Sequence, residues 1–403
     1  MPYNIADPGR DLKDLVVREA SVFREKQGID LRTEHGVDSI DPQSKMIRGR
    51  TPAGDDFQIA YDKLLIATGA SPVIPALPGF DLPGVMALKT LEEARKIKTF
   101  IDANDVKKAV IIGMGYIALE MVEALRARGI EVDMVKPRPF LLPWMPQDMA
   151  AVVEKEIKDH GVGMYPGHEI EGIEKHGPVL KVLCRDLDLE GGMVLVAAGI
   201  RPNSGLAQEA GLDLGPSRAV AVDRSLRTSD PDIYAAGDCA DAFHMVTGER
   251  TWIPLALRAN RAGWAVADNV TGRTVELPGV VGTALFKVFD MQVARTGLSV
   301  KEAEESGFEP REVVIKSRSR AHAHPGAGTI WVQLVGDQKT GRLLGAQIVG
   351  KEGAAHRVNA PAVALHAGMT VEAFSQSDLA YAPPFGPTWD PLITAANQLL
   401  KKF

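Results

Sequence analysis

Cysteine is nearly absent from this chain. The 403 residues hold two, Cys184 and Cys239, which stand 55 positions apart and in no C-x-x-C. That excludes a disulfide scaffold and any four-cysteine metal site. Long apolar runs are missing too. Nothing approaches the roughly 18 uninterrupted apolar residues of a membrane-spanning helix. The opening Met1-Pro2-Tyr3-Asn4-Ile5-Ala6-Asp7 has neither the basic nor the apolar part of a signal peptide. These absences predict a cytoplasmic protein with no membrane partner. There is no strong excess of either charge: 46 basic against 52 acidic residues leave a net −6. So mild an imbalance gives no global field to hold nucleic acid. The chain carries no internal repeat and no low-complexity tract.

What remains is ordinary globular composition, with 45% hydrophobic and 24% charged residues, far from the signature of disorder. At ~150 residues per domain, the length suggests two or three domains. The 39 glycines and 26 prolines suit many short turns.

Asp11 to Lys26 has a helical spacing of apolar positions (Leu15, Val16, Ala20, Phe23), Ile29 to Ile40 reads as strand, and Pro42 to Gly54 as turns. A short buried strand then runs into Ala67-Thr68-Gly69-Ala70-Ser71-Pro72, small residues that let something approach the backbone. Leu91 to Ala103 is helical. Ala109 to Ile112 is strand, followed by a helix to about Arg128, which Gly129 stops, and a strand from Ile130 to Val135. Met193 to Gly199 and Ile233 to Asp238 read as further buried strands. Beyond Thr283 come longer strands (Ile330 to Val335, Leu343 to Val349) and helices (Ala354 to Ala367, Val371 to Phe374).

Gly113-x-Gly115-x-x-Ala118 follows a strand and opens a helix. Backbone N–H groups at the helix N-terminus then face a pyrophosphate, and the missing side chains let it approach. In this strand–turn–helix setting the pattern predicts a dinucleotide site. An acid at the end of the second strand would bind the 2′-hydroxyl of NAD; here Lys136 stands there with Arg138 beyond it, cations suited to a 2′-phosphate. The same two residues also read as a solvated strand end. Asp238, after Ala236-Gly237, is placed to accept hydrogen bonds from a polyol, and reads equally as a helix N-cap.

Five segments stand in an order that resembles the flavin-dependent pyridine nucleotide-disulfide oxidoreductases. They are Ala67-Thr68-Gly69, the Gly113 fingerprint, Gly199-Ile200-Arg201-Pro202-Asn203, Thr228-Ser229 through Gly237-Asp238, and Ala380-Tyr381-Ala382-Pro383-Pro384-Phe385. The branch most resembled contains coenzyme A-disulfide reductases, NADH oxidases and polysulfide reductases. The resemblance implies an α/β fold with two Rossmann-like nucleotide-binding domains and a C-terminal α+β dimerisation domain. The implied boundaries are 1–105 and 226–280 for a discontinuous FAD domain, 106–225 for the NAD(P)H domain and 281–403 for dimerisation. By the same resemblance Asp238 holds the FAD ribityl chain, Thr68 and Gly69 line the remaining wall, Tyr116 and Glu120 sit near nicotinamide and flavin, and Asn260 lies near substrate. Tyr381 and His324, reached across a homodimer, supply protons.

The chain departs from this pattern in two places. The family opens on an FAD-binding glycine loop and a redox cysteine in Cys-Gly-(Leu/Met)-Pro-Tyr; here Met1-Pro2-Tyr3 matches the end of that segment. The expectation is an N-terminally shortened form that has lost both features. Cys184 and Cys239 read as buried, inert thiols. In the C-terminal region, His324-Pro325-Gly326 replaces a tyrosine, and Trp389-Asp390-Pro391 lacks the preceding cation, which weakens the case for the phosphate-rich tail of coenzyme A. His322 and His324 alternate onto one strand face, but two imidazoles make an incomplete metal site, and no metal is expected. The function expected is FAD-dependent reduction of a small disulfide, persulfide or polysulfide by NAD(P)H. An NAD(P)H oxidase or peroxidase is the enzymatic alternative, and a non-catalytic nucleotide-binding protein the other.

Overall fold

The structure is a computed structural model that describes residues 1–403, and it divides into two compact units. The first comprises residues 1–11, 72–199 and 281–403; the second comprises 12–71 and 200–280.

In the first unit, five parallel strands lie in the order Val85–Ala87, Met193–Val196, Lys108–Ile112, Glu131–Lys136, Gly163–Pro166. Lys-Ala-Val-Ile-Ile and Met-Val-Leu-Val are nearly continuous apolar runs, as strands covered on both faces must be. Val110, Ile112, Val135, Val194 and Val196 form one buried cluster there with Phe80 and residues of the three-stranded antiparallel sheet Ile170–His176, Val179–Cys184, Asp188–Gly191. Helix Leu91–Ala103 begins on a capping box: Thr90 Oγ1 accepts from the Glu93 N–H at 3.2 Å, and Glu93 Oε2 accepts from the Thr90 N–H at 2.7 Å. Helix Tyr116–Ala127 stops in a Schellman motif, Gly129 taking φ +75° while the Gly129 and Ile130 N–H groups bond the Arg126 and Leu125 carbonyls.

The same unit contains a five-stranded antiparallel sheet in the order Ala284–Val288, Met291–Gly297, Leu343–Gly350, Thr329–Asp337, Pro310–Arg318. Helix Pro391–Leu400 buries Leu392, Ile393, Ala395, Ala396 and Leu399 and packs on its last two strands.

In the second unit, Leu64–Ile66 pairs in parallel with Ile233–Ala235, and a meander of Gly36–Asp41, Met46–Arg50 and Asp56–Ala60 lies in the same unit. Its core joins Ile66, Val220, Val222, Ile233 and Ala235 to Ala262, Ala265 and Val266 of helix Ala256–Val270.

Several sequence expectations need correction. Asp11 to Lys26 is not one helix. It forms short turns at Leu12–Leu15 and Val22–Lys26, its periodic positions Val16, Ala20 and Phe23 only partly buried and Leu15 exposed; the β-branched pair Val16-Val17 also disfavours helix. The strand expected from Ile29 begins only at Gly36, and the segment read as turns contains the strand Met46–Arg50. The helix expected from Ala354 to Ala367 is two, Ala354–Arg357 and Asn359–His366, because Pro361 has no N–H for the turn before it. His322 and His324 lie in the turns between strands Pro310–Arg318 and Thr329–Asp337, so they do not alternate on a strand face.

Candidate active site

The three positions of the glycine fingerprint do three different things. Gly113 takes φ +119°, and a Cβ there would stand 2.2 Å from the Ala197 carbonyl, so this glycine is required by the fold itself. Its N–H bonds the Val135 carbonyl at 2.8 Å, seating the turn on the neighbouring strand. Gly115 caps helix Tyr116–Ala127 with no side-chain acceptor and has nothing within 4 Å of where its Cβ would be. This is the open face at which a pyrophosphate can approach the helix N-terminus. Ala118 is fully buried and lets the helix lie against the sheet. Gly199, at φ +118°, also has open space around it.

Tyr116 opens the helix with its ring stacked on Phe286, centroids 4.9 Å apart, and edge-on to Trp144 at 6.4 Å. The Arg295 guanidinium covers the Trp144 ring at 5.0 Å and pairs with Glu302 at 2.6 Å. Burial pushes the Tyr116 hydroxyl above its ordinary pKa. One turn on, burial likewise raises the Glu120 carboxyl, whose Oε1 lies 3.5 Å from the Tyr3 hydroxyl. At the strand end, Lys136 is half-buried and donates to the carbonyl of Phe140; burial first, and Arg138 second, push its ammonium pKa down. Arg138 is exposed.

In the second unit, Gly237 takes φ +84°, and a Cβ there would meet only the Ala259 Cβ, at 4.0 Å. Asp238 is half-buried inside the single turn Gly237–Cys239, whose N-cap position is Ala236. Of its two sequence readings, the helix N-cap is therefore excluded. The turn is held from behind: Arg258 Nη1 donates to the Gly237 carbonyl and Trp252 Nε1 to the Asp238 carbonyl, both at 2.8 Å. Asp241, fully buried, accepts from Arg250 Nη1 at 2.8 Å and from the Val222 N–H at 3.0 Å. Thr68 and Asn203 clasp each other, Thr68 Oγ1 donating to the Asn203 carbonyl at 2.5 Å and Asn203 Nδ2 to the Thr68 carbonyl at 2.9 Å. Gly69, beside them at φ +71°, is open. Asn260 is exposed on helix Ala256–Val270, its amide donating to the Ala256 carbonyl at 3.0 Å.

Tyr381 is 49% exposed in a loop that Arg357 holds: Nη2 donates to the Phe385 carbonyl at 2.9 Å, and Nε pairs with Asp390 at 2.8 Å. The Ala321 N–H bonds the Pro383 carbonyl at 3.0 Å and the His324 N–H bonds the Ala321 carbonyl at 3.0 Å, so the His324 and Tyr381 loops are tied together. Neither cysteine offers a ready thiolate. Cys239 is fully buried and its thiol bonds the Ile66 and Ala236 carbonyls. Burial pushes the Cys184 thiol up to about 11.

Over residues 3–263 the chain matches the pyridine nucleotide-disulphide oxidoreductase family, and over 283–391 that family's dimerisation domain. The chain belongs to the pyridine nucleotide-disulphide oxidoreductases. Members of this family use FAD and NAD(P)H, and the open turns at Gly115 and Gly237 fit those cofactors. The 403 residues contain one glycine fingerprint, at Gly113. Among oxidoreductases of this family, the chain is 38% identical to the NAD(P)H sulfur oxidoreductase (CoA-dependent) of Pyrococcus furiosus, over 94% of this chain and 85% of that protein. It is 32% identical to an NADH oxidase of Methanocaldococcus jannaschii, over all of this chain and 90% of that one. The solved NAD-dependent persulfide reductase from A. fulgidus superposes with a TM-score of 0.95 at 35% identity, covering 100% of this chain and 75% of that chain. No helix is long and apolar enough to cross a membrane.

Arg258, Trp252, Phe286 and Trp144 escaped the sequence reading. Arg258 and Trp252 act on backbone carbonyls, and the two ring partners of Tyr116 lie 28 and 170 positions from it in the chain. No spacing rule finds such pairs.

Proposed function

We propose that this oxidoreductase takes a hydride from NAD(P)H and delivers the electron pair to a small disulfide, persulfide or polysulfide, working as a homodimer. The observation that carries this reading is the pair of open nucleotide turns, Gly115 and Gly237, in a chain whose kinship runs to sulfur- and persulfide-reducing enzymes. Bound FAD supplies the two-electron step that no side chain can. The helix N-terminus at Gly115 receives the pyrophosphate of NAD(P)H, and Arg138 with Lys136 takes the 2′-phosphate of NADPH. Asp238 accepts hydrogen bonds from the flavin polyol, with Thr68 and Gly69 nearby in the chain's first flavin segment. Glu120 lies one helical turn from Tyr116, its carboxyl pKa raised by burial. Asn260 orients the sulfur substrate. When the S–S bond breaks, two electrons enter and two thiols leave, and Tyr381 and His324 of the second subunit supply protons to the departing sulfur. Neither Cys184 nor Cys239, both buried, is assigned a part in the sulfur chemistry.

The burial of both thiols favours a second reading, electron delivery to oxygen, which needs no attacking thiolate. The test is NADPH consumption by FAD-supplied protein, with coenzyme A disulfide or polysulfide in anaerobic buffer and with oxygen alone. The sulfur reading predicts faster turnover on the disulfide or polysulfide, with two thiols released per NADPH in the disulfide case. Turnover on oxygen only, without thiol release, selects the second reading.

A further inference from the structure

In the Gly237–Asp241 segment four of the five backbone carbonyls are spoken for by the protein. The Gly237 carbonyl accepts from Arg258 Nη1 at 2.8 Å, the Asp238 carbonyl from Trp252 Nε1 at 2.8 Å, the Cys239 carbonyl from the Val220 N–H at 2.8 Å, and the Asp241 carbonyl from Arg258 Nη2. Arg258 is only 7% exposed, an unusual place for a guanidinium on an ordinary helix. It makes no ion pair there; its bonds run to two carbonyls four residues apart.

A trans peptide sets C=O and N–H antiparallel. Drawing the Gly237 and Asp238 carbonyls toward Arg258 and Trp252 therefore turns the Asp238 and Cys239 N–H groups away from those two side chains. Donors beside the Asp238 carboxylate make a mixed surface suited to hydroxyl groups, which both give and accept hydrogen bonds.

We infer that Arg258 is a positioning residue for FAD, its two nitrogens setting the orientation of the turn that receives the polyol. This rests on the flavin reading of the Gly237–Asp238 turn. Arg258 touches the turn and not the cofactor. Its guanidinium fork spans two acceptors at fixed geometry, which an ammonium does not.

The experiment titrates FAD into flavin-free protein, following fluorescence quenching and the absorbance band of the bound flavin, for the unmodified chain, Arg258→Met, Arg258→Lys and Trp252→Phe. NADPH binding at the Gly113 turn is measured on the same samples by calorimetry. Expected is a Kd for FAD about tenfold weaker or more in Arg258→Met, in line with loss of charge-assisted hydrogen bonds. Arg258→Lys recovers part of it, and Trp252→Phe, which removes one donor and keeps the ring, weakens it less. The flavin band shifts and NADPH affinity holds. If Arg258→Met and Trp252→Phe take up FAD with the affinity and absorbance of the unmodified chain, Arg258 has no positioning role. If Arg258→Met fails to fold, Trp252→Phe alone decides, by the same readouts. An unmodified chain that takes up no FAD overturns the flavin reading of the turn, and with it this inference.

Discussion

The rings of Tyr116 and Phe286 stack with centroids 4.9 Å apart and planes 29° from parallel, which joins the first residue of the nucleotide helix to the first strand of the C-terminal sheet. Phe286 is 3% exposed. Its replacement by alanine removes a buried ring and the support for Tyr116, so Phe286→Ala is expected to cost about 3–5 kcal/mol in urea denaturation. Phe286→Leu, closer in volume, costs clearly less. Equal losses for the two would mean that filled space contributes little and that the loss follows the ring contact itself.

The proposed 2′-phosphate site rests on two unequal cations. Lys136 is drawn back onto the Phe140 carbonyl, whereas Arg138 is exposed and has a planar fork that matches phosphate. Both Lys136→Glu and Arg138→Glu are expected to lower the ratio of NADPH to NADH kcat/KM, Arg138→Glu by about tenfold or more. An unchanged ratio in both variants would remove the 2′-phosphate assignment.

Sequence and structure agree best where the backbone itself sets the residue. Gly113 and Gly237 require positive φ, and Ala118 must be small to seat its helix, so each leaves a mark that spacing rules detect. Residues that act through distant partners leave none. Arg258 stands in the first turn of its helix and reads as a surface cation, yet folding buries it against carbonyls 21 and 17 positions earlier. Helical periodicity in Asp11 to Lys26 misled for the opposite reason: the pattern is present, but Val16, Ala20 and Phe23 are only partly buried and Leu15 is exposed, so the face is covered too little to hold one helix. Lys136 was legible as a cation at a strand end, while its return to the Phe140 carbonyl depends on a loop conformation that no local rule predicts.

The Cys184 thiol titrates near 11 in the fold against an ordinary 9.0. Below about pH 9 the thiol is protonated whether the chain is folded or not. Between the two values the unfolded chain loses the proton and the folded chain keeps it, so stability falls as pH rises through that window. Cys184→Ala is expected to flatten this alkaline loss in denaturation midpoints measured across pH. Alkylation of native protein at neutral pH leaves Cys184 unmodified; rapid labelling there would contradict the account.

Asp390 has two tasks. It caps helix Pro391–Leu400 through the Leu392 N–H at 2.9 Å and pairs with Arg357 at 2.8 Å, the two side chains being 14% and 12% exposed. Asp390→Ala leaves Arg357 uncompensated and is expected to cost about 3–5 kcal/mol. Asp390→Asn retains the cap, itself worth about 1 kcal/mol, and loses correspondingly less. Because Arg357 also holds the Phe385 carbonyl, limited proteolysis of Asp390→Ala is expected to cut first between residues 377 and 389. First cleavage elsewhere would detach Arg357 from the ordering of the Tyr381 loop.

The most direct test of the central claim is an anaerobic two-step absorbance experiment on FAD-loaded protein. NADPH is mixed first and coenzyme A disulfide or polysulfide second. The account predicts that NADPH bleaches the flavin band stoichiometrically and that the sulfur substrate restores it without air, with two thiols released per flavin when the substrate is the disulfide. A band that bleaches and returns only when oxygen is admitted would contradict sulfur as the acceptor, and a band that NADPH never bleaches would contradict the oxidoreductase site itself.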